Sequence, residues 1–244
     1  MVFLITGGSG VLGRELKKLF PEGLSPSHQE LDITNRKSIL DFFKINDIDT
    51  VIHTAALTSV RKCEEDKPLT WKTNVEGTRN LIDAIHTLRH SVQFIYTSTA
   101  CVFDGHTGMY KESSLPYPEN FYSLTKLLGE HAVNKLSEFL IIRTNFGGKK
   151  RWPYPKAFVD RFGTYLFADD VAKGIRDVQK ENLQGIAHIV GDRKMSMFDL
   201  ARLTTPDIQP MTISDYSGPR LTMDMSLDTE RWKKYKISDS LIAI

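Results

Sequence analysis

The chain has 244 residues, enough for one sizeable α/β domain with a small appended lobe and a substantial core. Lysine plus arginine number 32 against 30 acids, for a net charge of +2, and hydrophobic residues make up 41%, so disorder and a strongly nucleic-acid-binding surface are both excluded. The only cysteines, Cys63 and Cys101, and an apolar start with no basic leader or cleavage site lead to the expectation of a cytoplasmic, disulfide-free protein. No apolar run approaches the roughly 20 residues that span a bilayer, so no membrane partner is expected.

Strands and helices alternate along the chain. Val2 to Ile5 reads as a buried strand, Val11 to Phe20 as a helix, Ile39 to Ile45 as a second helix and Asp49 to His53 as a strand. A second sheet strand is also expected to end in Leu24-Ser25-Pro26-Ser27-His28. A long helix follows from Leu69 to Leu88, then a strand from Val92 to Tyr96, a helix from Tyr122 to Leu136 and a strand from Phe139 to Ile142. Beyond Asn145 the pattern loosens, with a helix from Ala168 to Val178, a strand from Ile186 to Val190, a helix from Met197 to Leu203 and a loop-rich tail. Apolar runs without polar alternation suit a parallel sheet covered on both faces. The fold class is therefore a doubly wound, Rossmann-like α/β sheet at residues 1–145, with residues 146–244 forming a small substrate lobe interleaved with the last sheet strands.

Thr6-Gly7-Gly8-Ser9-Gly10-Val11-Leu12-Gly13 lies between the first strand and the first helix, the context that a dinucleotide-binding turn requires. Gly7, Gly10 and Gly13 fit T-G-x-x-G-x-x-G. Without β-carbons the backbone can turn tightly and meet a pyrophosphate at the helix N-terminus, around Val11 and Leu12. The acid that would hold an adenosine ribose has no clear counterpart at the expected strand tip. Ser27 and His28 are instead candidate donors to a 2′-phosphate, which favours NADPH over NADH as cofactor. Asp32 and Ile33 are placed to meet the adenine, Asp32 reading equally as a helix cap before Thr34-Asn35. Tyr122 and Lys126 share a helix face at a four-residue spacing, where the ammonium can lower the phenol's pKa from about 10. Of the 8 tyrosines only Tyr122 has a lysine four residues on, although by itself the pair also reads as a solvated face. No spacing of Cys, His, Asp and Glu marks a metal site.

With His53-Thr54-Ala55-Ala56, Asn74 in Asn74-Val75-Glu76-Gly77-Thr78, and Tyr122-x-x-x-Lys126 in the right order, the chain resembles the extended short-chain dehydrogenase/reductase superfamily. Thr54 to Val60, Lys62-Cys63-Glu64 and Tyr96 to Gly105 look most like dTDP-4-dehydrorhamnose reductases, from residue 2 to about 145. The resemblance implies an NAD(P)H-dependent reductase of a 4-keto-6-deoxy nucleotide sugar. In that reading Thr99 holds the substrate carbonyl, Tyr122 is the general acid, Lys126 supports it and holds the nicotinamide ribose, and Asn74 completes a proton path through water. Thr54, Ala55 and Ala56 join the glycine turn in the cofactor site. The superfamily also forms homodimers, here through the helices beginning near Leu69 and Tyr122.

The chain departs from those reductases at two places. They carry Asp-Tyr directly after the catalytic threonine, where this chain has Ala100-Cys101. Cys101 opens a second reading as an epimerase or epimerase-reductase, since a thiol can move a proton beside a ketone, but it also reads as packing. The reductases also have more chain between Gly147 and Ala168, where only a basic, aromatic link (Lys149, Lys150, Arg151, Trp152, Tyr154, Lys156) remains. That link reads equally as a clamp for a nucleotide diphosphate or as a solvated loop, with Arg143 and Arg220 as lesser phosphate candidates. A shortened lobe also admits a third reading, a non-catalytic nucleotide-binding regulatory subunit.

Overall fold

The computed structural model describes residues 1–88 and 91–238. Strand β1 (Phe3–Thr6) enters helix α1 (Val11–Leu19), and helix α2 (Arg36–Ile45) precedes strand β2 (Thr50–His53). Helices α3 (Val60–Glu65) and α4 (Lys67–Trp71) run through a π-helical turn, Lys72–Glu76, into α5 (Gly77–Leu88). Strand β3 (Gln93–Thr97), helix α6 (Phe121–Val133) and strand β4 (Phe139–Thr144) follow.

After residue 145 the chain forms short strands β5 (Phe146–Gly147), β6 (Lys156–Phe158), β7 (Phe162–Gly163) and β8 (Leu166–Phe167) before helix α7 (Ala168–Lys180). Strand β9 (Gly185–Ile189), strand β10 (Met195–Ser196), helix α8 (Met197–Arg202), strand β11 (Gln209–Met211) and strand β12 (Asp224–Met225) complete it.

The main sheet is parallel throughout, in the order β1-β2-β3-β4-β9. Its strands alternate between two apolar layers, as the unbroken hydrophobic runs require. Leu4, Val51, Phe94 and Ile141 join Ile39 and Phe43 of α2, Leu81 and Ile85 of α5 and Val133 of α6. Ile5, Ile52, Ile95 and Ile142 point the other way, onto Leu12 and Leu16 of α1 and Val171 and Ile175 of α7. The result is the expected doubly wound α/β/α sandwich. Strand β9 returns to the main sheet beside β4, while β7 joins β10 and β12, β6 joins β11, and β5 joins β8 in separate small sheets.

Some boundaries differ from the expected ones for local reasons. The strand expected around Leu24 is reduced to one bridge, with Leu24 N donating to Phe3 O at 2.7 Å and Ile5 N to Leu24 O at 2.8 Å. Pro26 has no N–H to carry the ladder further. The helix expected to begin at Leu69 starts two residues earlier, because the Asp66 side chain caps it by accepting from Leu69 N at 2.9 Å. Helix α6 ends at Val133, not Leu136, and begins at Phe121, where the Asn120 side chain accepts from Ser123 N at 3.0 Å.

One contact sets how closely α6 approaches the sheet. A β-carbon on Gly129 would lie 2.1 Å from the Tyr96 hydroxyl, which donates to the Lys126 carbonyl at 3.4 Å. Only glycine leaves room for a tyrosine from β3 under this turn. Gly129→Ala is expected to overpack the site, lower stability by about 1–3 kcal/mol and disturb Lys126, as read by urea denaturation and cofactor titration.

Candidate active site

The glycine turn is shaped by close backbone approach. Gly7 has φ +72°, where a β-carbon would be 2.7 Å from Ala55 N, and a β-carbon on Gly13 would be 2.2 Å from Gly7 O. Gly7 and Ala55 thus build the floor of the turn. Gly10 caps α1 without a side chain, and the first-turn amides that follow it have no earlier helical carbonyl to bond. Gly10, Val11 and Leu12 line a cavity of about 940 Å³ together with Thr54 and Ala56. A turn drawn this tight by glycines, with unpaired amides at a helix N-terminus opening on the cavity, fits a dinucleotide pyrophosphate.

The adenosine end is arranged differently from expectation. Ser27 N donates to the Glu30 carboxylate at 2.7 Å, and the Ser27 hydroxyl also bonds it, holding Glu30 below the usual carboxylate range. A carboxylate therefore occupies Ser27, one of the two donors assigned to a 2′-phosphate. His28 is exposed, 3.9 Å from Asp32 Oδ1. Asp32 Oδ1 accepts from both Thr34 N and Thr34 Oγ1 at 2.8 Å, while Asn35 caps α2. Ile33 is buried, its methyl 2.9 Å from where a β-carbon on Gly77 would stand. Ser25 has the better position: its buried hydroxyl has no partner among the described residues and lies beside Gly8 of the turn. Sequence reading passed over it because one serine before a proline carries no signal.

Thr99, Tyr122 and Lys126 meet in the same cavity as the turn. Thr99 follows β3 and caps the short turn Ala100–Val102, its hydroxyl accepting from Cys101 N at 3.2 Å and bonding the Tyr122 phenol. Tyr122 stands in the first turn of α6 and Lys126 one turn on, with its ammonium 4.1 Å from the centre of the Tyr96 ring. Burial pushes the Tyr122 phenol well above its ordinary range, with the Thr99 hydrogen bond opposing. Burial also brings Lys126 down from 10.5 to about 7, with Glu130 pulling the other way.

Glu130 is itself fixed by a buried ion pair. Arg143 Nη2 donates to Glu130 Oε2 at 2.7 Å and Nε to Oε1 at 3.0 Å, and Ser98 Oγ donates to the same carboxylate. Arg143 is thereby removed from any phosphate role.

Asn74 lies in the π-helical turn and is fully used by protein groups. Its Oδ1 accepts from Leu57 N at 2.8 Å, while Nδ2 donates to Leu57 O and Thr125 Oγ1, each at 3.0 Å. It ties the loop after β2 to α6, a clamp in place of the expected link in a water path. His53 extends that clamp, with Nδ1 2.6 Å from Thr6 Oγ1 and Nε2 3.0 Å from Thr78 Oγ1. Burial, then the Lys126 charge, lowers His53 to about 3, so it stays neutral.

The link between Gly147 and Ala168 walls the cavity. Trp152, Tyr154, Lys156 and Phe158 line it, joined by Arg61 and Tyr216, whose ring centre is 5.7 Å from the Arg61 guanidinium. Lys149 and Arg151 turn away to pair with Asp169 and Asp207, both at 2.7 Å, and Arg220 pairs with Glu119. Cys101 also lines the cavity, with Sγ 3.2 Å from Met225 Sδ.

A family model described as the RmlD substrate binding domain matches residues 1–150. The chain belongs to that family, within the extended short-chain dehydrogenase/reductases. A dTDP-4-dehydrorhamnose reductase of Aggregatibacter actinomycetemcomitans is 31% identical over 228 residues, covering 81% of this chain and 76% of the relative. The crystal structure of a dTDP-4-dehydrorhamnose reductase from Clostridium acetobutylicum superposes with a TM-score of 0.85 at 30% identity, covering 93% of this chain and 90% of that one. Methionine adenosyltransferase 2 subunit beta of Xenopus laevis is also similar, 27% identical over 283 aligned positions, covering 96% of this chain and 82% of the relative.

The Lys126 shift has a measurable consequence. Between about pH 7 and 10.5 the unfolded chain keeps the ammonium proton that the folded chain releases, so stability contributed by this group rises with pH across that window. Lys126→Met is expected to flatten that rise, as measured by urea denaturation at several pH values through the window.

Proposed function

We propose that the protein is an NAD(P)H-dependent reductase of the ketone of a 4-keto-6-deoxy nucleotide sugar. The convergence of Thr99, Tyr122 and Lys126 on the cavity that the glycine turn opens into carries this reading. Bound NAD(P)H supplies the hydride. Gly10, Val11 and Leu12 hold its pyrophosphate, and Lys126 reaches its nicotinamide ribose.

The Thr99 hydroxyl and the Tyr122 phenol together hold the ketone oxygen, which fixes the carbonyl carbon for attack. As that carbon gains hydride, the C=O electron pair moves to oxygen, and the oxygen takes the Tyr122 proton. A phenol held above its ordinary range by burial keeps that proton until the oxygen demands it. Lys126 then faces a phenolate, and the new charge favours its ammonium form. Outside the reacting centre, the aromatic and basic wall of Trp152, Tyr154, Lys156 and Arg61 supports stacking and charge contacts with a nucleotide diphosphate.

A second reading, a nucleotide-binding subunit that regulates another enzyme, draws on the similarity to subunits of methionine adenosyltransferase 2. The assembled Thr99, Tyr122 and Lys126 favour turnover, since regulation alone gives no chemical use for all of them. Purified protein mixed with NADPH or NADH and dTDP-4-keto-6-deoxyglucose is expected to consume the cofactor. Tyr122→Phe should lower kcat by about 10²–10⁴-fold with little change in cofactor affinity. Inertness toward dTDP-, GDP- and UDP-linked keto sugars, together with co-purification of a stoichiometric enzyme, would select the regulatory reading.

A further inference from the structure

Tyr165 stands between β7 and β8, in the link that walls the cavity. Its ring lies against the backbone of Gly163, where a β-carbon would be 2.7 Å from the ring, and its carbonyl is 2.6 Å from where a β-carbon on Gly191 would stand. Glycines on both sides therefore fix the residue. Tyr165 is 4% exposed and lines the same cavity as Thr99, Cys101 and Tyr122, yet its hydroxyl has no hydrogen-bond partner among the described residues. Cys101 lies within electrostatic reach of both the Tyr122 and the Tyr165 phenols.

An unpaired hydroxyl taken out of water costs about 1–3 kcal/mol, and phenylalanine would fill the same space without that cost. Nearby donors do not relieve it. Arg161 Nε donates to Thr222 O at 2.8 Å, and its Nη2 is 3.2 Å from Met225 Sδ. Cys101 Sγ is also spent on Met225 Sδ. Burial raises the Tyr165 phenol above its ordinary range, so it remains a donor at neutral pH.

We propose that the Tyr165 hydroxyl is a specificity contact for the substrate, hydrogen-bonding the sugar hydroxyl on carbon 3, beside the ketone. The inference rests on the keto-sugar reductase reading, and it adds which part of the sugar the chain reads and with which residue. A site that donates to a substrate hydroxyl discriminates strongly against analogues lacking it, because the buried group is then left alone.

Tyr165→Phe tests it with NADPH and dTDP-4-keto-6-deoxyglucose. The expected result is a fall in kcat/KM of about tenfold or more, chiefly in KM, with NADPH affinity unchanged and a melting temperature equal to or above that of the parent. With the 3-deoxy analogue of the same substrate, parent and variant should be equally efficient. If the parent turns over the keto sugar and Tyr165→Phe matches it within about twofold, the inference fails and the reductase reading stands. An equal loss on the 3-deoxy analogue, or a loss accompanied by a lower melting temperature and weaker NADPH binding, also overturns it. Absence of turnover by the parent protein overturns both.

Discussion

The Glu130 carboxylate accepts from Arg143 and Ser98 almost out of contact with water, and it lies one turn beyond Lys126 on α6. An ion pair so buried repays its desolvation only through good geometry and further hydrogen bonds, and here a two-point guanidinium contact and a serine provide them. Its main effect is positional. Ser98 directly follows β3 and Arg143 belongs to β4, so the carboxylate fastens α6 to the central strands whose ends carry Thr99 and Asn145. Tyr96 and Gly129 fix the distance on the same helix, and the Asn120 cap fixes its start. Tyr122 and Lys126 are then placed by contacts that none of the reacting groups makes.

The same burial that orders these side chains sets their protonation. Tyr122 is pushed up and Lys126 down, so in the free protein each is biased toward its neutral form. Such a site holds little charge until a ligand with negative groups, or a developing phenolate, arrives. His53, next in the hydrogen-bonded chain to Asn74 through Thr78, is kept neutral and does not compete as a proton donor. The polar network behind the site is thus a scaffold of neutral groups.

The sheet, the helices around it, the glycine turn and the shared face of Tyr122 and Lys126 were legible because each rests on local signals: unbroken apolar runs, glycine spacing, and a four-residue helical step. The meeting of the turn with that pair followed from the family resemblance alone. Asn74 was legible as a residue but not as a role, since its partners Leu57 and Thr125 come from separate elements. Ser27 looked like a donor because its neighbour Glu30 could not be seen to fold back onto it. Arg143 looked free for phosphate because Glu130 is on another element and nothing local announces the pair. Tyr165 and Ser25 escaped notice for the same reason: an orphan hydroxyl is defined by what fails to surround it.

The cavity's two sides are built on different kinds of ladder. The cofactor side hangs from five parallel strands with both faces packed, whereas the outer wall is joined by β6 with β11 and by β7 with β10 and β12, ladders of two or three residue pairs. Local opening free energy follows packed area and ladder length, so these segments occupy the low end of the molecule's stability range. Amide hydrogens in the wall should therefore exchange with solvent well before those of β2, β3 and β4. One half of the protein keeps a constant geometry for the reacting groups, and the other can breathe to admit and release a bulky ligand without unfolding the half that does the chemistry.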